Sequence, residues 1–141
     1  MTRAHPTPNR RPARLLLVLA TAATAALACA GAVAQTDPAQ YPAAATRFLD
    51  AELPKMEVAV AERDRDYFEA AMGRTVAFSE DWGFKSRANP ALAGYRTCTD
   101  AVSDFVLVGL CRLMPNGSEC DPNLASRFDA NLRQCRQTAA R

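Results

Sequence analysis

The chain has 141 residues, of which 17 are Lys or Arg and 15 are Asp or Glu. Four of the cations, Arg3, Arg10, Arg11 and Arg14, lie at the amino terminus, so residues 35–141 carry 13 basic and 15 acidic side chains, a net charge of −2. That balance excludes the broad basic footprint of a nucleic-acid-binding protein.

Residues 1–34 read as a cleavable secretory signal peptide. Met1 to Arg14 form a basic n-region, Leu15 to Ala28 an apolar run, and Ala32-Val33-Ala34 the small-x-small pattern that places cleavage between Ala34 and Gln35. The competing reading is a retained anchor, because Leu15 to Ala34 is nearly long enough to span a bilayer. Ala26-Leu27-Ala28-Cys29 loosely resembles a lipoprotein box, which makes Cys29 a lipidation candidate, and Arg10-Arg11 resembles a twin-arginine export motif. No second apolar run of spanning length follows, so the expected product is a periplasmic or secreted chain without a membrane span.

The remaining 107 residues, 35–141, are expected to form one small domain. A chain of this size buries only about 60–70% of its unfolded surface, a marginal core that benefits from cross-links. Residues 35–42 contain Pro38 and Pro42 and predict a flexible start, with a helix beginning near Ala43. Leu49, Leu53, Met56, Val60, Tyr67, Ala71 and Met72 recur at helical spacing between charged residues, which predicts one long amphipathic helix or two. Pro54 is expected to kink it or to start its second piece, and Gly73 to close it in a left-handed cap. A further short helix fits Thr75 to Ala88, closed by Asn89-Pro90, and residues 90–96 read as a loop.

The second half carries the stronger signals. Thr97 and Asp100 form a capping-box pattern ahead of the stripe Ala101, Val102, Phe105, Val108, Gly109 and Leu113. Pro115-Asn116-Gly117-Ser118 reads as a turn, although Asn116-Gly117-Ser118 also matches a glycosylation acceptor. Asp121-Pro122 then restarts a helix bearing Leu124, Phe128, Leu132 and Cys135 on one face. No alternating β-branched run argues for strands. The fold class predicted is therefore all-α, a bundle of about four helices whose last two form an antiparallel hairpin.

Four cysteines, Cys98, Cys111, Cys120 and Cys135, follow the leader, an even number in a chain read as exported. Cys98 and Cys111 on one helix would stand about 20 Å apart. A disulfide tolerates about 4.4–6.8 Å between Cα atoms. In an antiparallel hairpin, facing residue numbers have a nearly constant sum, which Cys98 with Cys135 and Cys111 with Cys120 satisfy to within two. The nested pairing is the one predicted. The spacings match neither zinc ligands nor a C-x-x-C redox pair.

Chemistry is narrowly bounded. The only histidine, His5, precedes residue 35, so Ser-His-Asp, Cys-His and histidine-ligated metal or haem sites are excluded from the mature chain. No phosphate loop, dinucleotide fingerprint or Ca²⁺ loop occurs, and no cofactor is implied. Carboxylates are what remain: Glu62, Asp66 and Glu69 are expected on one helical face, with Glu80 and Asp81 as a second set. Trp82, Phe84, Lys85 and Arg87 form the best candidate contact surface, because aromatics beside a guanidinium are typical interface anchors, although Trp82 also suits a core plug.

Charge is unevenly divided. Residues 35–81 carry 10 acids and 5 bases, and residues 82–141 carry 5 acids and 8 bases, so the halves are expected to attract each other. The function expected is non-enzymatic: binding of a partner protein in the cell envelope, with inhibitor, immunity or chaperone-like action. The alternatives are a carboxylate enzyme acting on cell-wall glycans and a lipid-anchored structural protein. Oligomeric state is left open.

Overall fold

A computed structural model of the chain describes residues 37–114 and 120–141. The predicted leader, the Ala34–Gln35 cleavage point, Cys29 and the Pro115 to Ser118 turn lie outside the described residues. Within them the chain is all-helical: α1 spans Tyr41–Glu62, α2 Arg65–Asp81, α3 Arg96–Leu113 and α4 Leu124–Ala139. Two 3-10 turns, Pro38–Gln40 and Pro90–Tyr95, lead into α1 and α3. Among the described residues no helix is long and apolar enough to cross a membrane.

The first helix starts earlier than its proline content suggests. Asp37 accepts a hydrogen bond from the Ala39 amide, Pro38 occupies the first position of the turn, and α1 follows at once. Tyr41 and Pro42 are both buried. The predicted flexible start therefore gives way at Tyr41, whose ring lies within 5.0–6.4 Å of Trp82, Phe84, Phe78 and Tyr95. Burying a ring of that size outweighs the terminal fraying that composition alone implies.

Pro54 neither ends α1 nor begins a second piece; the helix continues through it to Glu62. It is solvent-exposed, while Leu49, Met56 and Ala59 on either side are buried. The packed face holds the helix through one missing backbone bond. The break comes instead at Arg63, in the left-handed region with φ 57°. Asp64 then caps α2, accepting from the Asp66 and Tyr67 amides. Gly73, expected to be a cap, lies inside α2, which absorbs the short helix predicted from Thr75 as far as Asp81. Gly83, at φ 69°, supplies the left-handed turn beyond it.

Both later helices also start differently. α3 begins at Arg96 straight from the 3-10 turn, with no side-chain cap, so the Thr97–Asp100 capping box does not form. Asn89 caps the preceding turn by accepting from the Ala91 amide. α4 begins at Leu124, after a turn in which Asp121 accepts from the Asn123 amide. Of the predicted apolar faces, Ala101, Val102, Phe105, Val108 and Gly109 of α3 and Leu124, Phe128, Leu132 and Cys135 of α4 are buried, while Leu113 is only partly so.

The pairing is nested as predicted. Cys98–Cys135 has a Cα separation of 4.8 Å and Cys111–Cys120 one of 6.0 Å. On a chain-entropy account, closing 37 residues contributes about 4 kcal/mol and closing 9 residues about 2.5 kcal/mol. α1 lies across both helices of the hairpin, and ion pairs Glu57–Arg112 and Asp50–Arg136 fasten it to α3 and α4. The acidic front and basic back of the chain thus meet within one molecule.

One glycine is required by packing. A Cβ at Gly109 would lie 2.3 Å from Phe68 Cε1 and 2.8 Å from Met56 Sδ, so α3 approaches α1 and α2 through a gap only hydrogen can fill. A Cβ at Gly73 would meet nothing within 4 Å. Gly109→Ala should therefore destabilise by about 1–3 kcal/mol through overpacking. Gly73→Ala should stabilise by about 0.5–1 kcal/mol through helix propensity. Urea midpoints of the two variants check the opposite signs.

Candidate functional site

Three places concentrate polar or exposed chemistry, and they differ in what they can do. The first lies between α1 and α2. Glu52 is 4% exposed, and no sequence pattern singled it out. Its two carboxylate oxygens accept from Arg74 Nε at 3.1 Å, Arg74 Nη2 at 2.6 Å, Lys55 Nζ at 2.9 Å and Tyr67 Oη at 3.1 Å. The Tyr67 hydroxyl also lies 3.1 Å from the Glu52 backbone carbonyl, and Arg74 stands over the Tyr67 ring.

Burial pushes the Glu52 carboxyl up, but the Arg74 and Lys55 hydrogen bonds, the Arg74 charge and the Tyr67 hydroxyl together hold it below the usual range. Burial, with the Glu52 charge beside it, raises the Tyr67 phenol to about 12. A carboxylate so fully engaged has no lone pair or proton to offer a substrate. It joins α2 to α1 across the Arg63 break. This arrangement was invisible in sequence because Glu52, Lys55, Tyr67 and Arg74 look like scattered surface charges until the break at Arg63 folds α2 back.

The second place is the corner after α2 that holds the predicted contact residues. Trp82 and Phe84 are half-buried and pack against the central Tyr41 ring, edge-on at 5.0 and 5.7 Å. Asn89 Nδ2 donates to the Trp82 carbonyl at 2.8 Å, fixing the corner. Lys85 pairs with Glu80, and Arg87 is exposed. Phe84 turns its outer side to a cleft of about 450 Å³ shared with Pro90, Leu92, Arg96 and Asp100. The four residues share one corner, but the two aromatics are mainly committed to the core.

The carboxylate sets do not assemble as expected. Glu62 ends α1 whereas Asp66 and Glu69 lie on α2, so the break at Arg63 removes the single helical face. All three side chains are exposed, as are Glu80 and Asp81. Among the described residues no group of three or more His, Cys, Asp or Glu could hold a metal ion.

The third place was missed in sequence. At the far end of the hairpin, Leu107, Leu110 and Leu113 of α3 and Leu124 of α4 line an open cleft of about 540 Å³. Cys111 and Cys120 also line it, and Arg65, Asp121 and Arg127 stand at its rim. Leu107 is 51% exposed, one of the exposed large apolar side chains among the described residues, and it lies in a cleft with other leucines. Arg127 bridges Asp104 at 3.3 Å and Asp121 at 2.7 Å, binding the start of α4 to α3 beside the cleft. Leu107 and Leu110 lie just off the core stripe, and this is the only signal the sequence offered.

The Glu52 node makes a pH prediction. Its folded-state affinity for a proton is below that of the unfolded chain, so its contribution is complete above the ordinary glutamate range, about 4.3, and fades as pH falls through and below it. Glu52→Gln should flatten the stability–pH curve between about pH 5 and 3, measured by urea unfolding at each pH. A slope identical to that of the parent would show that the node contributes nothing to acid stability.

No protein-family model matches the chain, and no curated protein or solved structure shows significant similarity to it.

Proposed function

We propose that this chain is an exported, disulfide-stabilised helical protein of the cell envelope that acts by binding a partner protein rather than by catalysis. The observation carrying this reading is the apolar cleft around Leu107, mounted on a hairpin stapled at both ends. Two disulfides in a domain this small suit an oxidising compartment. A half-exposed leucine over an apolar floor, rimmed by charged residues, has the anatomy of a contact patch: an apolar centre with a polar edge.

The partner that fits presents an apolar side chain to the cleft and polar or acidic groups to Arg65 and Arg127. The Cys111–Cys120 bond ties the two sides of the cleft together, which limits the conformational freedom lost on binding. The Trp82 corner is the second candidate surface, with Arg87 and the outer side of Phe84 available to a partner. Inhibitor, immunity and chaperone-like roles are all compatible with such a patch.

The test compares tagged full-length parent, Leu107→Asp and Trp82→Ala chains, cross-linked in the native envelope fraction, with captured proteins identified and then purified for direct affinity measurement. Leu107→Asp should weaken binding of a stoichiometric partner at least about tenfold. It should change the urea midpoint little, because the side chain is half in solvent. Loss with Trp82→Ala alone would move the contact to the corner, and absence of any stoichiometric partner would reject the binding reading. Intact mass of the recovered chain should correspond to an amino terminus at Gln35; an acyl increment on Cys29 would instead favour the lipid-anchored form.

A further inference from the structure

The two disulfides differ in burial. Cys98 and Cys135 are both 0% exposed and belong to the central core. α1 covers the Cys135 sulfur, with Thr46 Oγ1 at 3.7 Å and the Pro42 carbonyl at 3.9 Å. Cys111 and Cys120 are only partly buried, and both line the open cleft beside Leu107.

Thiol–disulfide exchange requires a thiolate to reach a sulfur along the axis of the bond, so access selects which bond reacts. Both Cys111 and Cys120 line the open cleft, whereas Cys98 and Cys135 are enclosed. The rim of the cleft carries the guanidiniums of Arg65 and Arg127, and Arg127 is engaged by two carboxylates, Asp121 and Asp104. Arg65 is therefore the rim cation that favours an approaching thiolate.

We propose that Cys111–Cys120 is a thiol–disulfide exchange site, opened in the folded protein by an external dithiol while Cys98–Cys135 stays closed. A thiolate of the dithiol attacks one of the two sulfurs, forming a mixed disulfide and releasing the other cysteine as a thiolate that takes up a proton. The second thiol of the dithiol then attacks the mixed disulfide. Cys111 and Cys120 are left as two thiols and the dithiol as a cyclic disulfide, a balanced two-electron transfer. The fold persists because the remaining bond still holds the base of α3 to the end of α4. The proposal uses the geometry of the cleft and does not rest on partner binding there.

The test treats the oxidised, native protein with graded dithiothreitol at neutral pH, quenches with iodoacetamide, and maps labelled cysteines by peptide mass while circular dichroism follows helicity. Cys111 and Cys120 should label at least about tenfold faster than Cys98 and Cys135, with helicity retained at the doubly labelled stage. Arg65→Gln should slow that labelling severalfold without altering the urea midpoint. Labelling of all four cysteines together, earlier labelling of Cys98 and Cys135, loss of helicity in step with the first labelling, or labelling of Cys111 and Cys120 only in denaturant would each overturn the proposal. Partner capture by Leu107→Asp is measured separately, so failure of the binding reading leaves this result unaffected.

Discussion

The Cys98–Cys135 bond lies at the centre of the packing, fully enclosed and spanning 37 residues. It fixes the distance between the start of α3 and the end of α4, and with that distance fixed the two apolar faces can only meet each other. α1 then lies across them, with Pro42 and Thr46 against the sulfur and Leu49 and Met56 running down the same seam. α2 packs at the side of this arrangement, where Phe68 fits over Gly109 and Arg74 reaches Glu52.

The polar network follows the same arrangement. Glu57–Arg112 and Asp50–Arg136 are half-exposed surface bridges, and such pairs contribute little alone, about 0–1 kcal/mol. Their value lies in orientation, because each ties α1 to a different arm of the hairpin. The Glu52 node is different in kind, a buried carboxylate satisfied by three side chains. Removing its partners would leave a charge in the interior, the costly case for a buried ion pair. At Tyr41 the opposite choice is visible: its hydroxyl is buried without a partner among the described residues, and its ring contacts justify its place.

What could be read from sequence was whatever depended on spacing within one element. The stripes of α3 and α4, and the cysteine pairing they imply, follow from helical periodicity and the reach of a disulfide. Boundaries were harder to read, because they were settled by contacts between elements. Pro54 and Gly73 carry strong local signals, yet the buried residues around them continue the helix. Arg63 carries no such signal, yet it takes the left-handed turn because Asp64 caps the next helix. Tyr41 and Pro42 are helical and buried for the same reason. Of the candidate surfaces, the Trp82 corner was legible as a cluster of aromatics and charges. The Leu107 cleft was not, since it exists only where two helices diverge.

The order of elements along the chain has a consequence for assembly. α1 and α2 come first in sequence, but the faces they cover belong to α3 and α4, which follow them. The enclosed bond joins the start of α3 to the end of α4, so it cannot close until all of α4 has followed α3. Until then α1 and α2 have only each other to pack against, joined at the Glu52 node, and an isolated helix pair of this kind is marginal.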